Sequence, residues 1–229
     1  IQSGDTLVLN VATSITNDAF STSTEIDILN TILSSSNYII RSNGDQVHFN
    51  NETTVTSSTF TDLRSGDTIV LNVATTIDDD AFGSSSANDD NLSVQFSSSL
   101  QTIGKRSFQN RRGLTNLDFS NCTSLESIGE DAFRDCINLT NVDFSVCTSL
   151  TTINGKAFMN CDISSINLED TILTDIKRSV FQNKSSTIIS SIILPKTLLQ
   201  LNYYSIISKK GTTLNELFLP PDISSVSYT

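Results

Sequence analysis

The sequence is poor in the residues on which catalytic and phosphate-binding sites depend. It contains a single histidine, His48, among 229 residues, although nucleophilic and acyl-transfer sites usually place such a base beside the nucleophile. Glycine-rich phosphate loops are also absent. The Gly-Asp pairs at Gly4 and Gly66 precede apolar segments, whereas a nucleotide loop follows a strand and opens a helix, so we interpret both pairs as turns.

Long apolar runs are missing, and the first hundred residues have almost no positive charge. No segment approaches the roughly 18 apolar residues of a membrane helix, so we predict no membrane insertion by this segment. The chain has 14 Lys and Arg against 25 Asp and Glu, a net charge of -11. The whole excess lies in residues 1–100, with 13 acids and only Arg41 and Arg64. Such a charge repels phosphate backbones, so we predict no nucleic-acid partner.

Internal repetition dominates what is present. Residues 114–133 and 139–158 match position by position at an offset of 25, and residues 3–20 are echoed by residues 65–82 at an offset of 62. Phenylalanines recur at intervals near 25 residues, at Phe82, Phe108, Phe133, Phe158 and Phe181. Phe20 and Phe60 lie further upstream, and Ile206 occupies the position 25 residues after Phe181. Such periods are typical of a solenoid, whose coils bury their apolar faces by stacking.

Short alternating apolar pairs accompany this repeat. Period-two alternation predicts short strands, here at Leu7/Leu9, Ile26/Ile28, Val47/Phe49, Ile69/Leu71, Val94/Phe96, Leu117/Phe119, Val142/Phe144, Ile166/Leu168, Ile192/Leu194 and Leu217/Leu219. We expect about ten coils, each with one strand and one short convex turn, and parallel strands about 4.8 Å apart. The phenylalanines would form a stacked spine behind this inner sheet. Residues 25–43 depart furthest from the pattern.

Two tandem segments carry a family resemblance. Residues 125–136 (LESIGEDAFRDC) and 150–161 (LTTINGKAFMNC) resemble the BspA-like leucine-rich repeat, with its signature L-x-x-I-x-x-x-A-F-x-x-C. Ser107 and Val180 depart from the pattern, because they replace the alanine before phenylalanine. The resemblance implies an α/β solenoid, a right-handed leucine-rich-repeat array of about ten coils with a parallel inner sheet and short convex turns.

The quality of the match suggests how the array is divided. We expect a single solenoid over residues 1–229, with divergent N-terminal coils at 1–64, regular coils at 65–184 and divergent C-terminal coils at 185–229. The chain begins at Ile1 without a methionine, so we expect a processed product or part of something longer.

The resemblance also implies a function, because this repeat occurs mainly on microbial surface proteins and serves adhesion and protein binding. We therefore predict a non-enzymatic module, extracellular or on the cell surface, that binds a protein or host-surface ligand without a cofactor. The alternative is a structural subunit that assembles head-to-tail through its solenoid ends, since open coil ends permit such contacts. Five Asn-X-Ser/Thr sequons are about as many as this composition gives by chance, so they do not support the localisation.

The four cysteines lie at equivalent positions of successive coils, 25 residues apart, as the pairs Cys122/Cys147 and Cys136/Cys161. Two separate ladders cannot bring four sulfurs to one point, which argues against a zinc site. Stacked side chains point in parallel, so we interpret all four as buried free thiols, with disulfides between adjacent coils as the alternative. His48 is placed three rungs before Cys122, roughly 14 Å away, which excludes a Cys-His pair. We interpret His48 as a surface residue, with a serine partner as the disfavoured alternative, and we predict no catalytic residue.

We interpret the clusters of charged residues as parts of the fold and not as ligand sites. The acids at 78–80 and 89–90 match no calcium-loop spacing, so we interpret them as solvated loops, with weak divalent-cation binding as the alternative. On alignment of the coils, Lys105 and Arg106 stack beside Glu130 and Asp131, which stack beside Lys156. This alternation of sign predicts ion pairs between coils. We predict no metal site.

The outward positions of the inner sheet remain as the candidate site. Residues 95–169 would form a polar, acidic recognition strip, while Ile193 and Phe218 mark either an interaction hot spot or a covered junction. The predicted partner-binding residues are Gln95, Asn116, Asp118, Asn141, Asp143, Asn167, Glu169, Ile193 and Phe218.

Overall fold

The computed structural model describes residues 14–15, 35–42, 46–60, 63–83, 91–183, 189–202, 205–206 and 219–226. Every regular element within these ranges is a strand, and none is a helix. The strands are β1 (Ser14–Ile15), β2 (Asn37–Ile40), β3 (Gln46–Asn50), β4 (Thr54–Val55), β5 (Thr68–Leu71), β6 (Thr76–Ile77), β7 (Leu92–Phe96), β8 (Thr102–Ile103), β9 (Leu114–Asp118), β10 (Ser127–Ile128), β11 (Asn141–Asp143), β12 (Thr152–Ile153), β13 (Ser165–Asn167), β14 (Asp175–Ile176), β15 (Ser191–Ile193), β16 (Gln200–Leu201) and β17 (Ser225–Val226).

The longer strands of successive coils form the inner sheet, which comprises β5, β7, β9, β11, β13 and β15. β5, β7 and β9 pair in parallel, with Ile69 opposite Val94 and Val94 opposite Leu117. β11, β13 and β15 also pair in parallel, and Val142 lies opposite Ile166. These apolar residues point into the core, because alternate side chains of a strand face opposite sides. Their polar neighbours therefore form one outward surface.

A second sheet runs along the opposite side of the coils. This outer sheet consists of two-residue strands in parallel: β4, β6, β8, β10 and β12 form one part, and β14, β16 and β17 form the other. In β6, β8, β10 and β12 threonine or serine is followed by isoleucine, as in Thr102–Ile103, and the isoleucine is buried. β-branched residues favour extended backbone. Each regular coil therefore has two strands rather than the predicted one.

The N-terminal part does not continue this stacking. β2 pairs antiparallel with β5 on one side and with β3 on the other, and β3 pairs antiparallel with β1. β2 lies in residues 25–43, where the repeat pattern is weakest, and the sequence did not predict this strand. A buried ion pair between Arg41, at the end of β2, and Asp67, just before β5, joins this part to the first regular coil.

The predicted fold class is therefore wrong. We expected an α/β solenoid of about ten coils, whereas the structure is a parallel β-solenoid of about five turns without helices in the described ranges. The short segment opposite each inner strand is extended, and antiparallel pairing turns the N-terminal apolar segments into sheet strands instead of further coils. The predicted strands at 7–9 and 26–28 lie outside the described residues. The division at residues 64 and 184 remains a prediction.

Aromatic rings fill the space between the two sheets. The predicted spine is confirmed as a stack of rings with centroids 4.6 to 6.2 Å apart, at Phe60, Phe82, Phe108, Phe133, Phe158 and Phe181. A second stack, which the sequence did not predict, joins Phe96, Phe119 and Phe144 at 4.7 Å. Each aromatic pair contributes about 0.5–1.5 kcal/mol beyond its burial. This core fixes the spacing of the coils and hence of the outward residues.

Candidate functional site

The outward side chains of the inner sheet form two aligned rows. Gln95 lies opposite Asp118, and Asp143 lies opposite Asn167, which lies opposite Ile193. Gln95 and Asp143 are exposed, Asp118 and Asn167 are partly exposed, and 42% of Ile193 is accessible. The second row contains Asn116 opposite Ser93 and Asn141 opposite Ser165. The structure thus places these predicted residues on one face, and Phe218 lies outside the described residues.

The row of Asp118 and Asp143 has a structural role that the sequence did not predict. One carboxylate oxygen of Asp118 accepts a hydrogen bond from the backbone N–H of Ser120 at 2.9 Å, and Asp143 accepts one from Ser145 at 2.9 Å. Asn167 accepts the equivalent bond from the backbone N–H of Glu169. These side chains close the turns after β9, β11 and β13. An asparagine performs this role in one coil, so the turn requires the oxygen and not the charge.

The backbone of the inner sheet is interrupted in the middle of this face. β7 pairs with β9 and β11 pairs with β13, but among the described residues no strand pairing joins β9 to β11. The coils remain stacked at this place, because the rings of Phe119 and Phe144 lie 4.7 Å apart. The interruption separates Asn116 and Asp118 from Asn141 and Asp143.

The sequence also missed one member of the outward row. Tyr38 on β2 lies opposite Val70 on β5, so it extends the row beyond the regular coils. The side chain of Tyr38 is half-buried, and burial raises its pKa, an effect that its hydrogen bond with Asn72 opposes. Alternation of Tyr38 and Ile40 around the buried Ile39 was the available signal for this strand.

Charged residues of the outer edge form ion pairs between coils, and the predicted pair of Lys105 with Glu130 is confirmed, whereas Arg106 pairs with Asp80 instead of Asp131. Arg106 donates two hydrogen bonds to the carboxylate of Asp80, at 2.8 and 2.6 Å, and the pKa of Asp80 is lowered mainly by this interaction. Lys105 bonds Glu130 at 2.8 Å, which lowers the pKa of Glu130, and Lys156 lies 3.9 Å from the same carboxylate. The carboxylates of Asp80 and Glu130 are thus paired with cations of adjacent coils.

The acidic cluster at 78–80 takes part in the same edge. The side chain of Asp79 accepts a hydrogen bond from the backbone N–H of Lys105 at 2.7 Å, while Asp80 binds Arg106. Two of its three carboxylates are therefore used in contacts between coils. Asp89 and Asp90 lie outside the described residues. In the part of the chain that the structure covers, no three His, Cys, Asp or Glu side chains are grouped to hold a metal ion.

All four cysteines are buried free thiols, which confirms the first interpretation over disulfides. The thiols of Cys136 and Cys161 donate hydrogen bonds to backbone carbonyls of the preceding coil, at 3.2 Å. Burial raises the pKa of Cys122 and of Cys136, and raises the pKa of Cys147 to about 12. A neutral, inaccessible thiol is a poor nucleophile. These residues serve as small apolar fillers of the core.

The position of His48 differs from the predicted one. His48 lies in β3, which is separated from β9 by β2, β5 and β7, so the rung spacing of three is wrong. Its side chain lies outside the described part of the structure. Among the described residues, no helix has the length and apolarity to cross a lipid bilayer.

The fold and this face define a β-solenoid repeat protein with a long polar sheet surface. The model of the BspA type leucine rich repeat region matches residues 6–114, 53–188 and 101–229, with six copies. Because these matches cover most of the chain, the protein belongs to the BspA type leucine-rich-repeat family.

Two solved structures match parts of this chain at low sequence identity and low TM-score. A leucine rich cell surface protein from Faecalibacterium prausnitzii A2-165 is 17% identical, with a TM-score of 0.45 over 84% of this chain. The chain spans 48% of that protein's length. A leucine rich repeat protein from T. pallidum is also 17% identical, with a TM-score of 0.31, and the match covers 65% of this chain and 78% of that one. No curated protein matches the sequence.

Proposed function

We propose that the chain is a non-enzymatic protein-binding or adhesion module, located outside the cell or on a microbial cell surface, that binds a protein or host-surface ligand through the outward face of its inner sheet. Leucine-rich-repeat families are generally protein-interaction modules, and stacked repeats present extended binding surfaces. The residues proposed to bind the partner are Gln95, Asn116, Asp118, Asn141, Asp143, Asn167, Glu169 and Ile193, with Phe218 beyond the described residues.

The proposal rests on a difference between two surfaces, since acidic side chains are paired with cations at the outer edge but not on the inner-sheet face. At the outer edge, Asp80 and Glu130 are paired with cations of adjacent coils. Among the described residues, Asp118 and Asp143 on the inner sheet and Glu169 in the turn after β13 form no ion pair. A solvent-exposed strip of polar groups that the fold does not neutralise is available to an external partner.

A crosslinking experiment tests the proposed face. Asn141 on the inner sheet and Glu126 beside the outer sheet are both exposed, and each is replaced separately by p-benzoylphenylalanine. The two proteins are irradiated on intact cells and on purified extracellular-matrix proteins. We expect a discrete adduct from position 141 and none from position 126. Adducts only from position 126, or from neither position, would contradict the proposal.

A second candidate function is head-to-tail assembly, favoured by one observation. Of the four exposed large apolar side chains among the described residues, Ile193, Leu199 and Leu219 lie in the C-terminal coils, and Ile172 lies in the last part of the regular coils. Sedimentation velocity over a concentration series separates the two functions. A monomer at every concentration supports the binding module, whereas rods that lengthen with concentration support assembly.

A further inference from the structure

The charged side chains that face outward from the inner strands are the carboxylates of Asp118 and Asp143. We propose that this face binds a protein segment rich in lysine or arginine, centred between these two residues. This inference rests on the proposed function and adds the chemistry of the partner. The twelve outward positions of the six inner strands include no lysine, arginine or histidine. A cationic segment would therefore meet carboxylates without meeting a like charge on these strands.

The two carboxylates occupy equivalent positions of adjacent coils, 25 residues apart. At the outer edge, this chain places cations of adjacent coils beside its acids, as in the pairs Lys105–Glu130 and Arg106–Asp80. Among the described residues, no such cation lies between Asp118 and Asp143. An external guanidinium or ammonium group would therefore meet carboxylates that have no cationic partner in this part of the chain.

The geometry leaves one oxygen of each carboxylate available. The other oxygen is held by the N–H of Ser120 in one coil and of Ser145 in the next, so each carboxylate is oriented before a partner arrives. A fixed acceptor loses less conformational entropy on binding. A guanidinium group matches such paired oxygens, because its N–H donors form a rigid fork.

The interruption of the inner sheet lies at the same place. Among the described residues, no ladder joins β9, which carries Asp118, to β11, which carries Asp143. The exposed amides of Asn116 and Asn141 flank this interruption. They would bond to the backbone of an extended segment, while its cationic side chains reach the carboxylates.

The test uses defined probes with the intact chain. Fluorescent decalysine and decaarginine are titrated with the wild type, with decaglutamate as the negative probe, and anisotropy is measured at about 50 and 150 mM salt. The test variant is Asp118→Asn with Asp143→Asn, since asparagine keeps the turn hydrogen bond, as Asn167 shows. The matched control is Glu126→Gln with Asp222→Asn, which removes the same charge from exposed positions elsewhere.

We expect the wild type to bind both cationic probes, the Asp118/Asp143 variant to bind at least tenfold more weakly, and the control to change by less than twofold. Equal losses in both variants would mean attraction to the net charge alone and would overturn the proposal, as would no binding by the wild type. Crosslinking from position 141 that persists after such a failure would retain the proposed function and reject only the cationic partner.

Discussion

Truncation of Phe133 should be among the most destabilising changes in the chain, because its ring lies at the centre of the aromatic spine. Phe133 is fully buried, with its ring 5.1 Å from Phe108 and 4.9 Å from Phe158, both nearly parallel. Phenylalanine-to-alanine changes in cores cost about 3–5 kcal/mol, and two stacked pairs place Phe133→Ala near the upper end, at about 5 kcal/mol. Among the described residues Phe60 has one stacked neighbour, at 6.2 Å, so Phe60→Ala should cost about 3 kcal/mol.

Urea unfolding followed by far-ultraviolet circular dichroism measures this difference. Wild type, Phe133→Ala, Phe60→Ala and the larger replacement Phe133→Leu are compared at the same temperature and protein concentration. We expect the leucine variant to retain most of the stability, because it fills much of the volume. If Phe133→Ala costs no more than Phe60→Ala, or less than about 2 kcal/mol, the spine does not couple the coils as the ring stacking indicates.

Three further outcomes are expected. Ser179 is buried with a φ of 59°, so Ser179→Gly should raise the free energy of unfolding by about 0.5–1 kcal/mol in urea; a loss of stability would show that the serine makes a compensating contact. Arg106 lowers the pKa of Asp80, so the stability lost in Arg106→Ala should be present at pH 7 and shrink as the pH falls through the folded-state pKa of that carboxyl; a gap that is the same at pH 7 and pH 2.5 would contradict this linkage. Burial raises the pKa of Cys147 to about 12, so a thiol reagent at pH 8 should modify Cys147 only after unfolding; rapid labelling of the native protein would refute its burial.

The sequence predicted the contacts that join one regular coil to the next. In a stack of coils, residues about 25 apart become neighbours, so an offset in the sequence translates directly into a contact. The spine from Phe82 to Phe181, the two cysteine ladders and the pairing of Lys105 with Glu130 all follow from this rule. The outward position of Gln95, Asn116 and Asn141 follows from period-two alternation within each strand.

The fold class could not be obtained in the same way, because repetition does not specify how each segment pairs. The threonine–isoleucine dipeptides were too short to be recognised as strands, and only stacking in parallel makes them an outer sheet. β2 has an alternating pattern compatible with either strand direction. Its antiparallel pairing is a contact between segments far apart in the chain, supported by the buried ion pair of Arg41 with Asp67.

For the candidate site, too, some features could be predicted from the sequence and others required the tertiary structure. The sequence by itself determined which side chains face outward from the inner sheet and that they are polar or acidic, since these properties depend on residue type and local alternation. Only the tertiary structure decided that Asp118 and Asp143 each close a turn, that β9 and β11 are not joined, and that Tyr38 extends the row. These features depend on hydrogen-bond geometry and on which strands become neighbours, and local sequence patterns do not encode either.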